Sequence, residues 1–138
     1  MLKVLILGLF SSTGLAQDPL VIENLAGIEF GTVTAGTTVT VAPGDNPSSD
    51  GAQFRVSGER RAAYIIILPT QAQMNHTVFG ETHYIPINSF TSNPAEGANG
   101  QLTNNGRQNL YVGATAIVPY SIPAGTYAGS FTVEVVYP

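Results

Sequence analysis

Two histidines and a nearby acid are the nearest this chain comes to a metal set. His76 and His83 are its only histidines, and Glu81 stands beside the second. Imidazole and carboxylate are ligands that zinc accepts, and a hairpin over residues 72–84 would bring the three closer. Their simplest reading is two solvated loop histidines. Asp45, Asn46, Ser48 and Asp50 put oxygen ligands in one loop. A calcium loop needs them at alternate positions ahead of a glycine, and this spacing fails. The chain has no cysteine nucleophile, and no serine carries the flanking glycines of a nucleophile elbow. The nine acids are scattered, with no legible facing pair of the kind glycoside hydrolysis uses. The expectation is a protein that is not an enzyme, with no catalytic, cofactor or metal residues.

Function must then come from the elements themselves. Met1-Leu2-Lys3 is a short basic start, Val4 to Phe10 is apolar, and Ser11 to Ala16 is rich in small residues. This is the layout of a secretory signal peptide cut before Gln17. The apolar run is shorter than the ~20 residues a membrane span needs. Residues 1–16 are therefore expected to be a leader, and 17–138 one exported domain, extracellular or at the cell surface, with no membrane span. Lys3 is the only lysine. Past Ala16, Arg55, Arg60, Arg61 and Arg107 face nine carboxylates, leaving a net charge of −5. So few cations cannot neutralise many phosphates, which disfavours nucleic acid. Arg60-Arg61 reads as a solvated turn. With no cysteine, no disulfide is available, and stability has to come from the core.

The pattern beyond the leader is strand after strand. Thr37, Val39 and Val41 alternate with Thr38 and Thr40, and β-branched residues favour a pleated surface. Pro43 to Gly51 is a loop, Gln53–Ser57 a strand, and Ala63–Leu68 a run apolar on both faces that belongs inside a sheet. Val78-Phe79 and Tyr84–Ile87 look strand-like, with Pro86 demoting the latter to an edge or a bend. Ser92–Gly100 reads as a loop, and Asn104-Asn105-Gly106 as a hairpin turn. In the last strand Tyr127, Phe131, Val133, Val135 and Tyr137 share one face, interrupted only by Gly129. From Thr126 to Tyr137 it would span about 40 Å at ~3.3 Å per residue. A strand that long needs a paired neighbour, or it becomes an edge that recruits other chains. About eight short strands predict an all-β, immunoglobulin-like (pilin-like) antiparallel β-sandwich.

Two resemblances follow from these residues. Gly125 is fourteenth from the end and Tyr137 penultimate, and Ile122–Tyr127 leads into the final strand. This resembles the C-terminal strand of chaperone–usher pilins, in particular the archaic branch and spore-coat-U-like domains. Ile28–Gly36, Phe54–Gly58, Tyr64–Pro69, Leu110–Ala114 and the Pro-Ala-Gly-Thr-Tyr ending follow a recurring order. That order is similar to the exported bacterial family known as domain of unknown function 4402. The second resemblance implies a pilin-like exported sandwich and carries no activity.

The pilin resemblance implies a mechanism, in which the domain lacks one strand and a neighbour's N-terminal extension fills the gap. Tyr127, Phe131, Val133, Val135 and Tyr137 would line the groove. The donor would be residues 17–26, with Leu20 and Ile22 as plugs. The partners would be other copies in a head-to-tail homopolymer, with a periplasmic chaperone and usher. The expected function is a non-enzymatic structural subunit of a bacterial surface fibre or pilus. Residues 17–26 would alternatively close the domain's own sheet. A self-contained sandwich would then bind a glycan or surface partner through its loops, with Tyr84, Tyr111 and Tyr120 as aromatic contacts.

Overall fold

The computed structural model describes residues 18–46 and 50–138 in full and residues 2–8 as backbone. Among them are eleven strands and no helix. They are β1 (Leu2–Gly8), β2 (Val21–Ala26), β3 (Glu29–Gly31), β4 (Thr38–Val41), β5 (Ala52–Ser57) and β6 (Ala63–Ile67). After these come β7 (Gln71–His76), β8 (Gly80–Asn93), β9 (Gly97–Gln101), β10 (Arg107–Ile117) and β11 (Tyr127–Val136). The fold is the all-β, immunoglobulin-like antiparallel sandwich that the alternation predicts.

The strands pair in the order β2-β5-β10-β8-β7-β11-β1-β3, with β4 added to β10, and β6 lying between β11 and β9. β8 is long enough to serve two neighbours. Residues Gly80 to Asn88 pair with β7, and Ile87 to Asn93 pair with β10. Pro86 stands opposite Gln73 of β7, just before the β10 pairing begins.

Alternation sets which side chains go inward. Ala52, Phe54 and Val56 of β5 are buried while Arg55 points out. Tyr64, Ile66, Leu68, Val112, Phe131, Val133 and Val135 are all buried, as the period-two pattern requires. One cluster of buried side chains runs from Leu20 to Tyr137. Each large aliphatic or aromatic member contributes about 1.5–3 kcal/mol by transfer out of water. β6 is paired on both edges, yet Ile67 stays 42% exposed, so its second apolar face is only partly covered.

Three local expectations are corrected. Val78 and Phe79 form the turn between β7 and β8, and both are exposed. Asn104–Gly106 is a tight turn, but it makes no hairpin: β9 before it pairs with β6, and β10 after it with β5, β4 and β8. Gly97–Gly100, read as part of a loop, belongs to β9, which runs on to Gln101. Its Gly100 lies against the ring of Tyr64, where any β-carbon would collide. The close approach asks for glycine, and the glycine in turn disguises the strand.

Candidate functional site

β11 places Tyr127, Phe131, Val133 and Val135 inward, and all are buried, as is Tyr137 just beyond its end. The proposed groove residues therefore face the core together. Phe131 packs against Phe90 with ring centroids 4.8 Å apart. One edge of β11 is held by β6 and β7. Tyr127 pairs with His76 and Ala128 with Asn75, and further along Glu134 pairs with Ile67 and Val136 with Ile65. Leu68 to Thr70 interrupt these partners, and the Leu68 N–H there donates to Glu96 Oε2 at 3.2 Å.

The other edge of β11 is held by β1 alone. β1 runs parallel to it, from Leu2 opposite Tyr127 to Gly8 opposite Val133. On its far side β1 pairs antiparallel with β3, Leu2 with Gly31 and Lys3 with Glu29. The backbone of residues 2–8 thus lies along β11, and at Leu2 and Lys3 it fills a slot between β11 and β3. The rest of the expected leader, Met1 and residues 9–16, lies outside the described residues. At the Leu2 end of the slot a cavity of about 300 Å³ opens, lined by Gly31, Val33, Ile85, Ile122, Gly125 and Tyr127 among others.

The expected donor residues are elsewhere. Leu20 is 0% exposed and Ile22 is 7% exposed, both in the chain's own core. β2 pairs antiparallel with β5, from Val21 opposite Ser57 to Ala26 opposite Gln53. In this structure they lie along the chain's own β5, in the position of a closing strand. The reason is covalent proximity: a segment joined directly to β3 reaches the bare edge of β5 without leaving the domain. The bulge between Asn24 and Ala26 takes up the break in alternation at Asn24.

The penultimate Tyr137 fixes the start of this strand. Its hydroxyl accepts from Glu59 N at 2.8 Å and donates to Asp18 O at 2.7 Å. Glu59 Oε2 accepts from Asp18 N at 3.0 Å. Both backbone groups of residue 18 are held.

The other signature residue, Gly125, is positioned by His76. Contrary to the solvated-loop reading, His76 is only 6% exposed. Its Nδ1 accepts from the Val78 and Phe79 backbone N–H groups, each at 3.1 Å, so Nε2 carries the proton and donates to Ala124 O at 3.1 Å. The ring also contacts Phe79 and Tyr127, with centroids 4.5 and 5.1 Å away. Gly125 has φ +145° and leaves no room for a β-carbon beside that ring. No sequence signal marked His76, because a single histidine between polar residues reads as surface. Both of its nitrogens are engaged with backbone, while His83 stacks edge-on against Phe79 at 5.6 Å. Among the described residues no three His, Asp or Glu side chains gather as metal ligands. Asp45 Oδ1 accepts from the Asn46 side chain at 2.8 Å. Ser48 of that loop lies outside the described residues. Of the three tyrosines offered for loop contacts, Tyr111 is buried, while Tyr84 and Tyr120 are 46% and 87% exposed.

The class this defines is an all-β sandwich whose C-terminal strand is paired along one edge with the chain's own N-terminal strand. The chain belongs to the family described as Domain of unknown function (DUF4402), whose model matches residues 20–137. No curated protein and no solved structure matches it. No helix among the described residues is long and apolar enough to cross a membrane.

Proposed function

We propose that this chain is an exported, non-enzymatic structural subunit of a bacterial surface fibre, joined to its neighbour when the edge of β11 accepts a strand. The single observation behind this reading is the slot itself. β11 offers a seven-residue edge, from Tyr127 to Val133, that only residues 2–8 hold. Those residues belong to the segment with the layout of a cleavable leader. Its removal after Ala16 leaves β11 and β3 with facing unpaired edges over an apolar floor. β-Augmentation satisfies such edges through main-chain hydrogen bonds, and alternate side chains choose the partner. A chaperone and usher would shield the edge until assembly.

The test is capture of a strand by the exported form. A synthetic peptide of residues Leu2–Gly8, carrying lysines at one end for solubility, is titrated into it. Saturable one-to-one binding with a raised melting temperature is the expected result. No binding, with the domain folded, rejects the reading.

A second reading, glycan binding, has one observation of its own. The exposed Tyr84 borders a hollow of about 240 Å³ with Thr82, His83, Pro86 and Ser121, and Tyr120 lies beside it in sequence. Aromatic faces with adjacent hydroxyls suit a sugar ring. A glycan array on which Tyr84→Ala and Tyr120→Ala abolish a wild-type signal would favour this reading over strand capture.

A further inference from the structure

The N-terminal arm of a subunit decides whether it can give a strand as well as receive one. Here the arm ends where the backbone of Asp18 is gripped, its N–H by Glu59 Oε2 at 3.0 Å and its carbonyl by the Tyr137 hydroxyl at 2.7 Å. Leu20, two residues on, is fully buried, and β2 is committed to β5 from Val21 onward. With a cut after Ala16, Gln17 alone precedes the grip. One residue spans about 3.5 Å, whereas covering the edge of β11 from Tyr127 to Val133 takes seven residues, or about 23 Å at ~3.3 Å each. Freeing a longer arm would mean breaking the two hydrogen bonds that hold Asp18 and lifting Leu20 and Ile22 out of the core.

We infer that the exported chain receives a strand but has none to give. Its assembly partner is a different polypeptide with an extended segment of about seven residues, apolar at every second position. Register partners share a face, so the apolar positions fall opposite the inward-facing Tyr127, Phe131 and Val133. A subunit that only receives ends a fibre; it does not extend it. A homopolymer through Leu20 and Ile22 is therefore set aside. The inference rests on the proposed function, and specifically on removal of residues 1–16.

The full-length chain is expressed with export, and the secreted form is isolated. Intact mass locates its first residue. Light scattering over a rising concentration series and electron microscopy report its assembly state, with and without the Leu2–Gly8 peptide. The expected result is a form beginning at Gln17 that makes no filaments by itself at any concentration. It should bind the peptide one to one, with a melting temperature raised by about 8 °C or more at a hundredfold excess over Kd. Filaments that form without peptide and disappear when peptide fills the slot overturn the inference while leaving strand capture standing. A secreted form that still begins at Met1 also overturns it, because residues 2–8 would then be an arm long enough to donate. A folded chain that captures no peptide overturns the proposed function, and this inference with it.

Discussion

The imidazole of His76 occupies the space that a β-carbon on Gly125 would need. The two residues are 49 positions apart, and together they fix how the chain enters β11. The ring ties the Val78-Phe79 turn to the Ala124 carbonyl, and the glycine lets it come close enough to do so.

Gly125→Ala is expected to destabilise the fold by about 1–3 kcal/mol, through a left-handed backbone angle and the collision with the ring. Urea unfolding measures this. In the double variant with His76→Ala the collision disappears and the backbone strain remains. The two effects should then sum to less than the separate changes by at least about 0.5 kcal/mol. Strict additivity would show that the ring does not hold the glycine.

Leu20→Asp together with Ile22→Asp should unfold the chain at 25 °C. Each carboxylate enters an apolar core without a partner, at several kcal/mol, against a typical total stability of about 5–15 kcal/mol. Val21→Asp is the control: Val21 is 43% exposed and should tolerate the charge. Circular dichroism separates the outcomes, and an unchanged double variant would remove β2 from the core.

Tyr137→Phe removes one hydroxyl that both donates and accepts. The Glu59 N–H and Asp18 carbonyl lose their partner, at a cost of about 1–3 kcal/mol. Hydrogen exchange should accelerate at the amides of Asp18, Leu20 and Glu59 and stay unchanged in β10. Uniform acceleration would point to global loosening in place of a released terminus.

Tyr64 supplies a pH signature. Its hydroxyl donates to Gln108 Oε1, and burial pushes its pKa well above the ordinary tyrosine range. The folded state thus holds this proton more tightly than the unfolded state does. That contribution is complete below about pH 10, the unfolded tyrosine value, and declines as pH rises past it. Wild-type stability should therefore fall more steeply than that of Tyr64→Phe above pH 10, by up to about 1.4 kcal/mol per pH unit. At pH 7 the variant should be less stable by about 1 kcal/mol. Gln108 Oε1 still accepts from Gln101 N at 3.1 Å there, which limits the loss.

The strands with an apolar face and solvent on the other side were legible in the residues. β5 and β11 follow that alternation, and their inward side chains are the ones expected, whereas β10 is buried on both faces from Leu110 to Ala114. β9 was hidden because Gly97, Ala98, Asn99 and Gly100 show turn composition while their pairing depends on Tyr64, a tertiary contact with no local trace. The Asn-Gly turn was visible, but turn chemistry does not say whether the flanking strands share a sheet. The inward face of β11 is legible in its alternation. Which edge of it β1 takes depends on the positions of β6, β7 and β3, which no local pattern encodes. Leu20 and Ile22 alternate as a donor or a closing strand would, and the structure sets them along the edge of β5, a placement with no local trace.

Removal of residues 2–8, as proposed, would leave β11 and β3 with open edges and put the molecule in a race. Its useful lifetime would be set by how soon a strand arrives and much less by its equilibrium stability. Unsteered association at about 10⁵–10⁶ M⁻¹s⁻¹ with a partner near 1 μM takes about 1–10 s. Secretion that outpaces this interval accumulates open chains, whose edges pair with one another instead. The yield of correctly joined subunits should then rise with partner supply and fall with the rate of synthesis, with no change in the sequence or fold of the chain.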